Sequence, residues 1–144
     1  MEFEEQEDIQ PEKPIAIYSK WAILGFSIFF SPVVGSVLLM LNLRTIGNKR
    51  AGYLMLLFGV AYMVVAAIVL LKVIDIPLTG ITPEKLMANP KVIYYSKALD
   101  ILGAGILAEY FFKRYFQNGT YESKSIWIPL VVVLLLNFLF GGLI

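Results

Sequence analysis

The chain has 144 residues, 58% of them apolar and only 16% charged, with a mean hydropathy of +0.74 and a formal net charge of +1. It is too apolar and too sparsely charged for an ordinary soluble domain, and its bulk is the reverse of a disordered sequence. A near-neutral balance sets up no field for nucleic acid. The absence of both Cys and His excludes disulfides, Cys/His zinc sites and imidazole-based nucleophilic catalysis.

Residues 1–20 read as an acidic, solvated tail, with Glu2, Glu4, Glu5, Glu7, Asp8 and Glu12 ahead of Pro14. A secretory leader opens on a basic stretch, so the first apolar segment is expected to be retained. Residues 21–43 contain no charge, and about 20 such residues cross a bilayer as a helix. Pro32 interrupts this run and predicts a kink. Gly47 is the expected stop, within the polar turn 42–50. Residues 51–71 form a second uncharged run, and the intervening turn is short enough only for an antiparallel pair.

Residues 73–92 form the longest connection. Thr82 and Pro83 signal the start of a short helix, and Asn89-Pro90 signals its end. The stretch 93–116 is apolar but carries Lys97, Asp100 and Glu109. It reads as a third span over 98–116, or alternatively as a helix lying in the membrane interface. Residues 126–144 are uncharged and open with Trp127, an interfacial anchor, and Pro129, tolerated in a first turn. The expected fold is thus all-α: a polytopic bundle of four transmembrane helices in a single domain (21–144), with spans at 21–43, 51–71, 98–116 and 126–144.

Asp100 and Glu109 are the sharpest chemical features, because a carboxylate within a span is costly. Nine residues apart, they lie on opposite faces and about 13 Å apart along a helix. They cannot act as a close acid/base pair. Lys97 and Lys113 stand at pairing distance in sequence, which makes local ion pairs the first reading and a proton or cation site the alternative. Gly52, Gly59 and Ala66 recur every seven residues, while Gly35 follows Ser31 and Ala108 follows Ala104 at four-residue spacing. Such small-residue seams pack helices in lipid, where no hydrophobic force acts between them. Arg44, Lys49 and Arg50 make a compact basic turn that sets topology or meets anionic headgroups. Asn137 is expected to form an interhelical hydrogen bond, and Tyr62 is the tyrosine expected to face inward. Lys and Arg split six to six across the two sides of the four-span arrangement. Their density in the short turns favours cytoplasmic turns with both termini outside.

The pattern Pro32-x-x-Gly35-x-x-Leu38-x-x-x-Asn42-x-Arg44-x-x-Gly47 resembles the first hairpin of small, uncharacterised prokaryotic membrane proteins. The resemblance covers residues 26–60 and implies no activity. The expectation is a non-enzymatic protein of the bacterial inner membrane, without cofactor, metal or nucleic-acid partner. Its partners would be the lipid bilayer and either a second copy or another membrane subunit. The alternative is a small transporter or channel using Asp100 or Glu109.

Overall fold

The computed structural model describes residues 13–74, 79 and 82–140, and the acidic cluster at 1–12 and residues 141–144 lie outside them. The described chain is mostly helical. Its elements are β1 (Ile15–Ile17), α1 (Lys20–Phe29), α2 (Pro32–Thr45), α3 (Lys49–Ile74), α4 (Pro83–Met87), α5 (Pro90–Gly105), a π-helical segment (Ile106–Phe112), α6 (Lys113–Phe116), β2 (Tyr121–Ser123) and α7 (Trp127–Leu139).

Residues 21–43 do not form the single kinked helix expected of them. α1 stops at Phe29, and α2 runs back along it. The reversal has a local cause. Pro32 takes the first position of α2, and Ser31 before it is fully extended (φ −169°, ψ 160°), as a residue preceding proline prefers. The proline therefore starts a new helix instead of bending an old one. The hairpin closes on Gly35, where a Cβ would collide with the Ser27 hydroxyl of α1 and stand 3.1 Å from the Ile23 carbonyl. Ser27 satisfies its own buried hydroxyl by donating to that carbonyl at 2.7 Å.

The base of the hairpin is tied to the segment before α1. Residues 13–20 are not all solvated tail: Ile17 and Tyr18 are buried. The Tyr18 N–H donates to Asn42 Oδ1 (2.7 Å), and Asn42 Nδ2 donates to the Tyr18 carbonyl (2.8 Å). α2 then ends in a Schellman turn. Asn48 N–H bonds the Leu43 carbonyl (2.8 Å), Gly47 N–H bonds that of Arg44 (3.0 Å), and Gly47 has φ +83°. The Asn48 side chain caps α3 by accepting from Ala51 N–H at 3.1 Å.

α3 has 26 residues, about 39 Å of helix. It is the one described helix long and apolar enough to cross a membrane. Its buried residues, Ala51, Gly52, Met55 and Gly59, all lie in its first half. Gly52 lies against Met40, and Gly59 lies against Ser36 and Val33 of α2, while most residues from Val60 onward are exposed. Thr82 caps α4 and Asn89 caps α5 through their side chains, so the breaks read from Thr82-Pro83 and Asn89-Pro90 are present. Residues 90–116 are helical throughout, with helical backbone angles at both junctions of the π segment. This helix is longer than the expected 98–116. It runs antiparallel to α3, with Phe58 against Phe111 and Tyr62 against Gly103.

After α6 the chain returns to its start. β2 pairs in parallel with β1, in the register Ile15↔Tyr121, Ala16↔Glu122, Ile17↔Ser123. A strand pair was not expected. The Lys124 N–H extends it to the Ile17 carbonyl (2.7 Å). β1, β2, the turn at Gly47 and α6 thus share one end of the molecule, and the α1–α2 tip reaches only part-way along α3. The fully buried core, including Ile23, Leu39, Leu43 and Leu107, lies between that tip and the strand end.

Candidate functional site

The tip of the α1–α2 hairpin gathers polar groups. The Ile28 carbonyl belongs to the last turn of α1, whose carbonyls have no intrahelical N–H to accept from. The Lys97 ammonium of α5 fills the vacancy, donating to the Ile28 carbonyl at 3.2 Å and to Asp100 Oδ2 at 3.1 Å. It also meets the negative end of the α1 dipole. One turn away, the Tyr62 hydroxyl donates to the Leu99 carbonyl at 2.6 Å. Gly103 makes room for the tip: a Cβ there would stand 2.6 Å from Pro32 Cγ and 2.7 Å from Tyr62 Cε1. The predicted Lys97–Asp100 spacing is an ion pair, and the backbone carbonyl is the partner the spacing did not reveal. Pro32 marks the break in the sequence, but the meeting of Lys97 with that helix end is a long-range contact.

Glu109 lies on the π segment and pairs with Lys113, as its spacing suggests, and also with Lys20 at the start of α1. It therefore ties the return helix to the base of the hairpin. Asp100 and Glu109 are separate features in the structure, each with its own cations. Among the described residues no group of three Asp, Glu, His or Cys is placed to hold a metal ion.

The small-residue positions divide into two sets. Gly35, Gly52 and Gly59 form the seams from α1 to α2 and from α2 to α3, and Ala104 and Ala108 are fully buried. Ala66 lies in the second half of α3, beyond its buried positions, and is only half-buried. Ser36 was not singled out in the sequence, yet it faces Gly59 with its hydroxyl turned back to the Val33 carbonyl (2.7 Å).

The strand end is basic. It carries Lys13, Lys20, Arg44, Lys49, Arg50, Lys113, Arg114 and Lys124, and the opposite side carries Lys72, Lys85, Lys91 and Lys97. The even six-to-six split assumed a straight first span. The hairpin returns residues 13–20 to the side of the turns and makes the division eight to four. Trp21 and Trp127 follow the two strands, four residues after Ile17 and Ser123. Both tryptophans stand in the first turns of α1 and α7 and are exposed, at 74% and 70%.

α7 stands off from the rest, with Val133 its buried residue. Two apolar clefts flank it: one of about 380 Å³ against α2 and one of about 450 Å³ against α1. A polar cleft of about 230 Å³ opens beside Lys20, Glu122 and Ser123 at the strand end. No protein-family model, no curated protein and no solved structure matches the chain.

Proposed function

We propose that this is a non-enzymatic integral membrane protein, an accessory subunit that works through its exposed helix faces. The observation that carries the reading is α3: residues 51–71 hold no charge, and only 11% of its most apolar window is buried. A core helix of a soluble protein has the same composition but is covered. Here Leu57, Val64 and Ile68 face outward, which in water is a large penalty and in lipid is none. The two exposed tryptophans and the basic strand end support the same reading, as an aromatic belt and a cytoplasmic face. In this reading α3 and the helix over 90–116 cross the bilayer. The α1–α2 hairpin dips in and returns, its ten-residue first arm reaching about 15 Å, half the hydrocarbon depth. The strand end, with residues 13–20, faces the cytoplasm of a bacterial cell.

Carbonate extraction of native membranes tests the first half of the reading, and a chain released by carbonate overturns it. Affinity capture after mild cross-linking tests the second half. A partner membrane subunit, or a second copy, is expected at fixed stoichiometry and is expected to be lost on Leu57→Asn. Absence of any such partner overturns the subunit role.

A second reading rests on the hairpin tip, where a broken helix brings Lys97, Asp100 and Tyr62 together. Broken helices of this kind hold ions in transporters. The reading predicts pH-dependent flux in proteoliposomes that Asp100→Asn abolishes. Flux that survives both Asp100→Asn and Glu109→Gln removes it.

A further inference from the structure

We propose that the cleft between α2 and α7 holds one acyl chain of an anionic phospholipid, with Lys124 and Arg44 meeting its phosphate. The proposal rests on the membrane reading above and adds a ligand to it. Three features of the cleft support this occupant. It is lined by apolar side chains, among them Val37, Leu41, Val133 and Leu136, with Tyr18 at its strand-end mouth. Its depth fits one leaflet: from Val33 to Leu41 the α2 wall rises about 12 Å, against about 15 Å for half a hydrocarbon core. It runs from Tyr18 at the strand end to Val33 at the hairpin tip, so a chain lying in it has its headgroup at the basic end.

The mouth is also charged appropriately. The Lys124 ammonium lies 5.2 Å from the centre of the Tyr18 ring, and Arg44 stands one turn beyond Leu41 on α2, its stem passing Gly52 of α3. Neither cation has a carboxylate partner among the described residues. Lys20, Lys97 and Lys113, by contrast, are already paired with Glu109 or Asp100. A phosphodiester supplies the missing negative charge, and its acyl chain fills the space that α7 leaves open. A zwitterionic lipid fills the same space but brings its own cation to the mouth.

The test is native mass spectrometry of the full chain in detergent, titrated with dioleoyl phosphatidylglycerol or dioleoyl phosphatidylcholine. The expected result is a one-lipid adduct that prefers phosphatidylglycerol. Lys124→Gln and Arg44→Gln are each expected to weaken it about fivefold while leaving the phosphatidylcholine adduct unchanged. Both changes lie on the exposed surface and leave the core intact. Val37→Trp fills the cleft and is expected to weaken both adducts. Equal binding of the two lipids overturns the proposal, as does a phosphatidylglycerol affinity indifferent to the double substitution. Dimerisation that Val37→Trp abolishes overturns it in favour of a second copy. Each of these results leaves a chain that stays in the carbonate pellet, so the membrane reading survives them, whereas carbonate release defeats that reading itself.

Discussion

Tyr18 and Asn42 exchange two buried hydrogen bonds across 24 residues, the backbone of one against the side-chain amide of the other. This clamp joins the end of β1 to the last turns of α2. It uses both faces of a carboxamide, one donor and one acceptor, which no other uncharged side chain of that length offers. Asn42→Leu keeps the volume but strands a buried N–H and a buried carbonyl. Each such group costs about 1–3 kcal/mol, so thermal unfolding in detergent, followed by circular dichroism, is expected to shift down strongly. The neighbouring Arg44→Ala, at an exposed position, is expected to leave the transition in place. A small effect of Asn42→Leu would mean that the clamp does not hold the hairpin base.

The glycines of α1 and α2 differ in a testable way. Gly25 has nothing within 4 Å of an added Cβ, whereas Gly35 faces Ser27 and the Ile23 carbonyl. Gly25→Ala is therefore expected to be neutral or to stabilise by about 0.5–1 kcal/mol through helix propensity. Gly35→Ala is expected to destabilise by about 1–3 kcal/mol through overpacking. Because the closest atom is the Ser27 hydroxyl, Ser27→Ala is expected to restore part of the loss in the double variant. That coupling is readable as a double-mutant cycle of melting temperatures. Additive effects would separate the two residues and place the crossing elsewhere.

Much of the fold is legible in local chemistry. Gly47, Thr82, Pro83, Asn89 and Pro90 punctuate the helices where backbone capping demands, and Lys97–Asp100 and Glu109–Lys113 pair because helix geometry alone brings them together. What composition does not convey is direction. An uncharged run of 23 residues has the same hydropathy whether it crosses or doubles back. The deciding facts, Ser31 extended before Pro32 and Gly35 set against Ser27, concern steric contact between segments. The strand pair was missed for a similar reason. Three residues on each side carry no alternating pattern, and only the return of the 90–116 helix brings Tyr121 to Ile15. Lys20 reaches Glu109 by the same long-range route.

Lys97 bridges Asp100 and the Ile28 carbonyl in the last turn of α1, so its removal differs from removal of the pair. Lys97→Met leaves a carboxylate and a carbonyl without their donor. Lys97→Met combined with Asp100→Leu leaves only the carbonyl. Breaking an ion pair in low dielectric is costlier than replacing it with apolar groups. The double variant is therefore expected to melt closer to the native protein than Lys97→Met does. If the single and double variants melt together, the Asp100 charge is not what Lys97 satisfies.

The hairpin makes a topological prediction that a straight first span does not share. The chain has no cysteine, so single cysteines introduced by Lys13→Cys, Asn48→Cys, Gln117→Cys and Thr79→Cys report sidedness against an empty background. A membrane-impermeant maleimide added to intact cells, and then to inverted vesicles, reads which face each occupies. In the structure residues 13, 48 and 117 lie at the strand end, and residue 79 lies beyond the far end of α3. The first three are expected to label together from inverted vesicles, and Thr79→Cys from intact cells. Were residues 21–43 to cross the bilayer as one helix, Lys13→Cys and Asn48→Cys would label from opposite faces. Charge swaps then connect this result to its cause. Reversing Arg44, Lys49 and Arg50 to Glu lowers the cationic count at the strand end from eight to five, against four on the other side. The positive-inside bias is nearly removed, and mixed labelling of Lys13→Cys is the expected outcome.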